Sequence, residues 1–314
     1  MSCIEVHSLS KSYSSILAVD TIDLSVASGQ VFGFLGPNGA GKSTVIKLLT
    51  TLIQPDSGQI SVLGINAIQE PLKIRKKIGV VLQQPSYEPT LSVEKSLEKY
   101  GMMWNVDKKT RQKRTEELLE SFELTQIRKK KNEDLSIGQR RRVQVAREFM
   151  HDMDLLFLDE PTVGLDPSAR RKLLDFLKNK VKETGMTIFY TTHVLTEAEY
   201  LCDNIAIINN GKIITVDSPN ELKNRFGNEK TIKIHISEQF KELSNLLKEI
   251  PDCNIERNDG IIITIHSTNS EIVLMNILKI LNQNNIPIND LSAMPTNLEE
   301  IFLKVVSDSD ASNN

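Results

Sequence analysis

Hydrophobic positions near the start of the chain cluster in short runs that favour β-strands. Two such runs, residues 4–6 and 24–26, precede a compact apolar run, VFGFL, at Val31–Leu35. That run leads directly into GPNGAGKST at residues 36–44, and then into residues 45–49, where the apolar spacing is helical. Short continuous apolar runs are typical of buried strands. The pattern therefore predicts a strand, a glycine-rich loop and a helix in succession.

A long helical stretch follows, and alternating strands and helices come after it. From about residue 89 to residue 150 the pattern is almost wholly helical, with the charge runs KKTRQKR and RKKK between apolar positions. We interpret this stretch as a helical insertion. Further strands are predicted at residues 155–158, 187–191 and 204–209, and helices at residues 167–184 and 194–201. Such alternation implies an α/β fold with a mostly parallel sheet and helices on both faces. We also expect an antiparallel β subdomain.

The pattern changes again near residues 225–230, and the elements that follow have the order βαββαβα. This order is typical of a small ferredoxin-like α+β domain, with its last helix predicted from Asn297. We therefore predict a first domain at residues 1–224, a second at residues 231–306, and a polar tail at residues 307–314.

Composition narrows the classes of function. With 314 residues, 39% of them hydrophobic, the chain can bury one sizeable core and a smaller second one. A net charge of -3 argues against a protein that mainly neutralises nucleic-acid phosphates, so we expect no nucleic-acid partner. Cys3, Cys202 and Cys253 are scattered, which fits a reducing compartment and gives no zinc spacing. No apolar run approaches the ~18 residues of a membrane span, and the N-terminus lacks a secretory pattern. We expect a soluble chain that reaches a membrane only through a partner.

The strongest chemical signal is the glycine-rich loop. Gly36, Gly41, Lys42 and Ser43 form the pattern G-x-x-x-x-G-K-S between a predicted strand and a predicted helix. In this context backbone N–H groups wrap around phosphates, and glycines permit positive φ and close approach. Lys42 is expected to reach the β- and γ-phosphates, and the Ser43 hydroxyl to bind Mg²⁺. Phosphate binding is favoured over a plain flexible turn, which would not need the whole pattern.

Two adjacent acids, Asp159 and Glu160, follow the apolar run at residues 155–158. A buried strand brings them to the carboxyl edge of the sheet, where ligands of open α/β sheets bind. We expect Asp159 to hold Mg²⁺ through water and Glu160 to accept a proton from an attacking water. The alternative is that either acid only caps the next turn, but a buried strand has little structural reason to end in both.

Four segments, GPNGAGKST, LSIGQRRRVQVAREF, LLFLDEPTVGLDP and TTH, resemble in order and spacing the ATP-binding subunit of an ABC transporter, over about residues 3–220. In this family the Ser-x-Gly-Gln stretch begins a helix whose N-terminus faces ATP held by the other subunit of a head-to-tail dimer. The resemblance therefore implies that Ser136, Gly138 and Gln139 serve a second copy. The arginines that follow are then interpreted as a mostly solvated or intersubunit face. Ile137 stands where the family more commonly has glycine.

The resemblance implies roles for other side chains as well. Tyr13 matches an aromatic that stacks on adenine, although an ordinary half-buried tyrosine is the alternative. Gln83 matches a glutamine that joins Mg²⁺ and water to the transporter-facing surface, with Gln84 adjacent. Asp166 matches a loop that crosses the dimer interface, and it is also a good N-cap. His193 matches a histidine that contacts the γ-phosphate.

The complete predicted site has overlapping groups. The catalytic residues are Lys42, Glu160 and His193. The Mg²⁺ ligands are Ser43, Gln83 and Asp159. The ATP contacts are Tyr13, Gly36, Pro37, Asn38, Gly39, Ala40, Gly41, Lys42, Ser43, Thr44, Gln83, Ser136, Gly138, Gln139 and Asp166.

The resemblance implies an ATPase that powers transport. VDSPNELKNRFG and PTNLEEIFLKVV near the C-terminus resemble ATPases paired with exporters of drugs, antimicrobial peptides, lipids or polysaccharides. The implied partners are a second copy of the chain and an integral membrane permease, which docks near residues 85–104 at the cytoplasmic face of the cell membrane. One alternative is a non-transport ABC ATPase acting on a ribosome or nucleic-acid complex, which would usually need two ATPase modules or long coiled coils. Another is a regulatory ATP switch, which would be expected to lack Glu160.

Overall fold

The structure, a computed structural model, describes residues 2–84, 86–226, 230–236, 243–258, 261–295 and 298–311. Two residues used in the predictions, Pro85 and Asn297, lie outside these ranges. The chain folds as two compact units, Met1–Ser218 and Pro219–Asn314. Each unit has its own sheet or sheets.

The first unit contains two sheets. Its strands, in chain order, are β1 (Ser2–Tyr13), β2 (Ile16–Ala27), β3 (Val31–Leu35), β4 (Ser57–Val62), β5 (Ile65–Asn66), β6 (Ile78–Val81), β7 (Leu155–Asp159), β8 (Thr187–Thr192), β9 (Asn204–Asn209) and β10 (Lys212–Asp217). One sheet is antiparallel, in the order β2-β1-β4-β5. The other has the order β10-β9-β3-β8-β7-β6, in which every pair is parallel except that of β9 with β10.

The α-helices that the structure describes in the first unit fall largely where periodicity predicts them. They are α1 (Lys42–Leu49), α2 (Pro71–Arg75), α3 (Val93–Met103), α4 (Lys108–Ser121), α5 (Ile137–Glu148), α6 (Pro167–Thr184) and α7 (Leu195–Leu201). The predicted insertion at residues 89–150 corresponds to α3, α4 and α5 with short 3-10 turns between them. No helix within the described ranges has the length and apolar character needed to cross a lipid bilayer.

Strands β3, β7 and β8 form the buried centre of the parallel sheet. All residues of β3 and β7 are buried, and every residue of β8 is buried as well. Because both faces of such a sheet are covered, its strands carry continuous apolar runs, and these runs are what the sequence displays. Parallel pairing brings the C-terminal ends of β3 and β7 to the same edge, on either side of β8. The glycine-rich loop and the paired acids therefore face one another.

The second unit has the predicted βαββαβα order, preceded by one more helix. Its elements are α8 (Pro219–Phe226), β11 (Lys230–Ile236), α9 (Leu243–Lys248), β12 (Asn254–Asn258), β13 (Ile262–Ser267), α10 (Ser270–Gln283), β14 (Ile288–Pro295) and α11 (Leu298–Ala311). The antiparallel sheet has the order β12-β13-β11-β14, which is that of a ferredoxin-like domain. Helix α11 continues to Ala311, so the first residues of the predicted polar tail are helical.

Candidate active site

The loop between β3 and α1 can be built only with glycine at two positions. A Cβ on Gly36 would lie 2.3 Å from the carbonyl oxygen of Ile208, and one on Gly41 would lie 2.4 Å from that of Ala18. Gly41 also has φ of 108°, in the left-handed region, where it forms the N-cap of α1. The backbone of this loop is therefore fixed by its neighbours in a conformation that other residues would disrupt.

Lys42, the first residue of α1, turns back onto this loop. Its side chain is only 6% exposed, and Nζ donates hydrogen bonds to the carbonyl oxygens of Gly36 at 2.8 Å and Pro37 at 3.1 Å. Nζ also lies 3.9 Å from Oε1 of Glu160. Burial lowers the pKa of Lys42, while the charges of Glu160 and Asp159 oppose that shift. The amine is thus held between the loop and the two acids.

Asp159, the last residue of β7, receives two hydroxyl groups. The Ser43 hydroxyl donates to Oδ2 at 2.8 Å, and the Thr191 hydroxyl donates to Oδ1 at 2.6 Å. Asp159 is buried. Carboxylate and hydroxyl oxygens are the ligands that Mg²⁺ prefers, and Mg²⁺ usually binds one or two protein groups together with substrate phosphates. The Ser43 and Asp159 pair beside the glycine-rich loop fits that donor set.

Glu160 is the residue on which three predicted side chains converge. Its Oε1 lies 3.2 Å from Nδ1 of His193 and 3.9 Å from Nζ of Lys42. Its Oε2 accepts a hydrogen bond from Nε2 of Gln83 at 3.3 Å. Its own φ is 49°, uncommon for a residue with a side chain, and its backbone N–H donates to the Thr191 carbonyl at 3.1 Å. The turn after β7 therefore aims this carboxylate at the loop.

A buried arginine, which we predicted to lie on a mostly solvated or intersubunit face, supports this turn. Arg141 donates to the carbonyl oxygens of Asp159 at 2.5 Å, Glu160 at 2.7 Å, Pro161 at 3.3 Å and Leu82 at 2.7 Å. Burial lowers the pKa of its guanidinium, although nearby Asp159 and Glu160 act against that. The prediction of a mostly solvated or intersubunit arginine face is therefore wrong for Arg141, which is buried within its own chain.

Helical spacing contained the signal that identifies Arg141. The residue lies three positions after Gly138 and four before Val145, and both of these are buried in α5. Positions three and four apart share one face of a helix. Its neighbours Arg140 and Arg142 lie off that face and are only partly buried. The three consecutive arginines thus lie on different faces of α5.

The Ser-Ile-Gly-Gln stretch begins α5 and is separate from the cluster around Glu160. Ser136 is the N-cap, and its hydroxyl and the Gln139 side chain form a reciprocal capping box. A Cβ on Gly138 would lie 2.5 Å from the carbonyl oxygen of Gly164, so only glycine fits there. Across the described ranges, no hydrogen bond or ion pair joins Ser136, Gly138 or Gln139 to the glycine-rich loop.

Tyr13 and Asp166 also lie apart from that cluster. Tyr13 is the last residue of β1, pairs with Ile16 across the hairpin, and is exposed. Asp166 is the N-cap of α6, and its carboxylate accepts hydrogen bonds from the backbone N–H groups of Ser168 and Ala169, both at 3.0 Å. These bonds lower the pKa of Asp166. The N-cap interpretation of Asp166 is confirmed.

Comparison with known proteins identifies the family. A model described as ABC transporter matches residues 19–163, and one described as ATP-binding protein DrrA1-3-like, C-terminal domain, matches residues 218–306. The linearmycin resistance ATP-binding protein LnrL of Bacillus subtilis (strain 168) is 35% identical over 305 residues, covering 96% of this chain and 97% of that protein. The chain belongs to the ATP-binding proteins of ABC transporters.

Other relatives of this ABC ATPase agree. The daunorubicin/doxorubicin resistance ATP-binding protein DrrA of Streptomyces peucetius is 35% identical over 96% of this chain and 91% of its own. The bacitracin transport ATP-binding protein BcrA of Bacillus licheniformis is 32% identical over 96% of this chain and 97% of its own. A dimeric structure of a post-hydrolysis state of the ATP-binding cassette MJ0796, bound to ADP and Pi, has a TM-score of 0.64 and 27% identity over 68% of this chain and 98% of its own. The predicted family, fold class and ATPase activity are confirmed.

The structure of this ABC ATPase also separates the two adjacent glutamines. Gln83 reaches Glu160, whereas Gln84 lines a different groove together with Tyr100 and Trp104. The geometry therefore favours Gln83 as the glutamine of the site. Of the remaining loop residues, Asn38 and Gly39 are exposed, Ala40 is buried and Thr44 is half-buried, which leaves the crest of the loop accessible.

Proposed function

We propose that this ABC ATPase powers an exporter. In this proposal it works as a homodimer that holds two ATP molecules between head-to-tail copies, and it docks on a membrane permease at the cytoplasmic face of the cell membrane. The observation that carries the proposal is the convergence of Lys42, Gln83 and His193 on the Glu160 carboxylate, beside the Ser43 and Asp159 pair.

Each residue of this cluster has a distinct task. The loop backbone and Lys42 bind the β- and γ-phosphates. Glu160 polarises the attacking water and accepts its proton, while His193 holds its ring between Glu160 and the γ-phosphate. Ser43 and Gln83, together with Asp159 through water, would hold Mg²⁺. When bound there, Mg²⁺ would supply positive charge to the phosphate oxygens. Positioning and charge stabilisation therefore account for most of the catalysis.

The start of α5 serves the other copy. Its backbone N–H groups and the Ser136 hydroxyl form an anion-binding helix N-terminus. Within the described residues, this N-terminus makes no hydrogen bond to the glycine-rich loop of its own chain. Gly138 and Gly164 lie together there, so the loop that leads to Asp166 borders the same surface. ATP bound by one chain completes its contacts on α5 of the partner, which we call the signature helix.

The permease docks at a groove between the parallel sheet and the helical insertion. Its cavity of about 450 Å³ is lined by Leu52, Val80, Leu82, Tyr100 and Trp104, among others. The predicted docking segment at residues 85–104 contributes the two aromatic side chains. Gln83 begins the stretch that leads from Glu160 to this groove, which connects hydrolysis to the membrane partner.

The names of the relatives favour export over the alternative. LnrL and DrrA are described as resistance proteins and BcrA as a transport protein, and each is aligned over nearly its whole length. The match of residues 218–306 to a DrrA-like C-terminal domain extends the likeness beyond the ATPase unit. A role on a ribosome or nucleic-acid complex has no comparable support.

Complementation between two inactive variants tests the head-to-tail arrangement. Lys42→Ala removes a phosphate ligand, and Ser136→Arg blocks the start of the signature helix with bulk and charge. A homodimer of either variant has two damaged sites and should be inactive. A mixed dimer has one site with both lesions and one site with neither, so mixing the two proteins should restore ATP turnover.

The measurement uses differently tagged variants and a tandem-purified mixed dimer. The Glu160→Gln protein, prepared in the same way, controls for contaminating ATPase. If the signature helix acted on the nucleotide of its own chain, every site in the mixture would carry a lesion, and turnover would stay at the level of this control. Photo-crosslinking from position 136 to nucleotide on the same chain would also contradict the proposal.

A further inference from the structure

Glu197, on α7, is a buried carboxylate outside the cluster around Glu160. It is 2% exposed, and its Oε2 accepts hydrogen bonds from the hydroxyls of Tyr190 at 2.7 Å, Thr162 at 3.0 Å and Thr192 at 3.0 Å. Burial raises the pKa of Tyr190, which keeps its phenol protonated as a donor. A buried carboxylate that accepts several hydrogen bonds holds the segments of its donors together, because hydrogen bonds to charged groups are stronger than those between neutral groups.

The second oxygen of the same carboxylate faces a cation. Nε of Arg170 lies 3.3 Å from Oε1 of Glu197. Arg170 is in the first turn of α6, where its backbone N–H donates to the Asp166 carbonyl at 2.9 Å. The loop between Glu160 and α6 is thus hydrogen-bonded to Glu197 through Thr162, and Arg170 in the first turn of α6 forms an ion pair with the same carboxylate.

Strand alternation explains how one strand serves both acids. The Thr191 side chain points to one face of β8, and the side chains of its neighbours Tyr190 and Thr192 point to the other face. Thr191 donates to Asp159 on one face, whereas Tyr190 and Thr192 donate to Glu197 on the other. Thr192 directly precedes His193, and Thr162 lies two residues after Glu160. Glu197 is therefore bonded both to the loop that follows Glu160 and to the strand end that carries His193.

We infer that Glu197 is a positioning residue that fixes the loop at residues 160–166 relative to the strand end at Thr192, and so sets the relative placement of Glu160 and His193. The inference rests on the roles proposed above for those two residues. Glu197 touches neither of the reacting groups named above, and it acts through Thr162 and Thr192. Small misplacements of catalytic groups by a residue outside the site can cost about 100-fold in rate.

Steady-state kinetics on the full chain provide the first test. Glu197→Gln keeps the shape of the side chain and removes its charge, so kcat should fall about 10- to 100-fold while KM for ATP changes less than about twofold. Glu199→Gln is the same change at an exposed position of the same helix and should leave kcat unaltered. Unchanged kcat in Glu197→Gln would overturn the inference.

Variants of the donors separate positioning from a merely structural role. Thr162→Val removes one hydroxyl from the loop and should lower kcat, and Thr162→Ser, which keeps that hydroxyl, should restore it. Tyr190→Phe removes a hydrogen bond to the same oxygen from a side chain that lies in neither segment. It should lower the melting temperature and leave kcat within about twofold of wild type. An equal loss of kcat in Tyr190→Phe and Thr162→Val would mean that Glu197 only stabilises the fold.

Hydrogen exchange of the nucleotide-free chain tests the connection without any turnover. Glu197→Gln should speed amide exchange about 10-fold or more in both residues 160–166 and residues 192–194, and Glu199→Gln should not. Faster exchange in only one segment, or in neither, would overturn the inference. A wild-type chain without ATP turnover would contradict the proposed function, while this measurement would still decide whether Glu197 connects the two segments.

Discussion

At the scale of single residues, Arg141 accounts for the shape of the turn that carries Asp159 and Glu160. Successive carbonyl oxygens of that turn, with a further one from Leu82, point at one guanidinium. Such a cluster of carbonyl dipoles is unfavourable unless a cation or several donors lie at its centre. The planar fork of arginine supplies several donors in fixed geometry, which lysine does not.

Arg141→Met should therefore destabilise the chain strongly. It leaves several buried carbonyl oxygens without donors, and we expect a loss of at least about 3 kcal/mol in the free energy of unfolding. Urea denaturation followed by circular dichroism measures this. Arg140→Met, the same change one residue earlier on a partly exposed face, should cost less than about 1 kcal/mol. Equal losses in the two variants would contradict the central role of Arg141.

At the scale of elements, an aromatic contact joins the end of α3 to the loop after α5. The Trp104 indole and the His151 imidazole are parallel within 3°, with their centroids 3.9 Å apart. His151 is buried. Burial lowers the pKa of His151 to about 4, although the backbone at Ile78 and Glu148 and the charge of Asp152 act to raise the pKa of its ring.

This contact predicts an acid-sensitive contribution to stability. Between about pH 6.5 and pH 4 the unfolded chain binds a proton at His151 that the folded chain does not. Folding stability from this residue is therefore complete above pH 6.5 and decreases as the pH falls. Relative to His151→Phe, which keeps the stacked ring without titrating, the wild type should lose about 3 kcal/mol over this range.

Urea denaturation at several pH values checks this prediction. The exposed His7 offers a control, and His7→Phe should follow the wild-type curve. If the wild type and His151→Phe lost stability in parallel between pH 6.5 and pH 4, the neutral buried ring would not be the cause.

At the scale of the whole molecule, the C-terminal unit has a core of its own. Its buried residues come from the inner faces of β11 and β13 and from α9 and α10, among them Ile232, Ile234, Ile263, Ile265 and Ile277. Helix α8 lies against α11 within the same unit, and its Leu222 is fully buried. The unit thus begins at Pro219, before the predicted start of the second domain at residue 231.

Residues 219–314 should fold by themselves, because a four-stranded sheet with two covering helices buries its own apolar face. A shorter piece, residues 231–314, lacks α8 and should be less stable by about 2 kcal/mol, the value of one fully buried leucine. Urea unfolding monitored by circular dichroism compares the two pieces. A gradual rather than cooperative transition in the longer piece would show that the unit depends on the rest of the chain.

The sequence alone determined those features that depend on residues close to one another in the chain. The glycine-rich loop, the strand that ends in Asp159 and Glu160, and the βαββαβα order were all predicted correctly. Each depends on periodicity or on a short motif between a strand and a helix. The predicted runs at residues 4–6 and 24–26 were only fragments of the long strands β1 and β2. Several positions of those strands are exposed and polar, so continuous apolar character identified only parts of them.

Only the tertiary structure decided which distant residues meet. The order of strands in the central sheet brings β3 and β7 to either side of β8, and this order is not readable from the sequence of elements. The burial of Arg141, the approach of Gln83 and His193 to Glu160, and the bonds of Glu197 to Thr162 and Thr192 all follow from it. These groups are polar, so hydrophobic periodicity does not identify them. Their partners are fixed by backbone pairings between strands far apart in the chain, and one sequence does not specify those pairings locally.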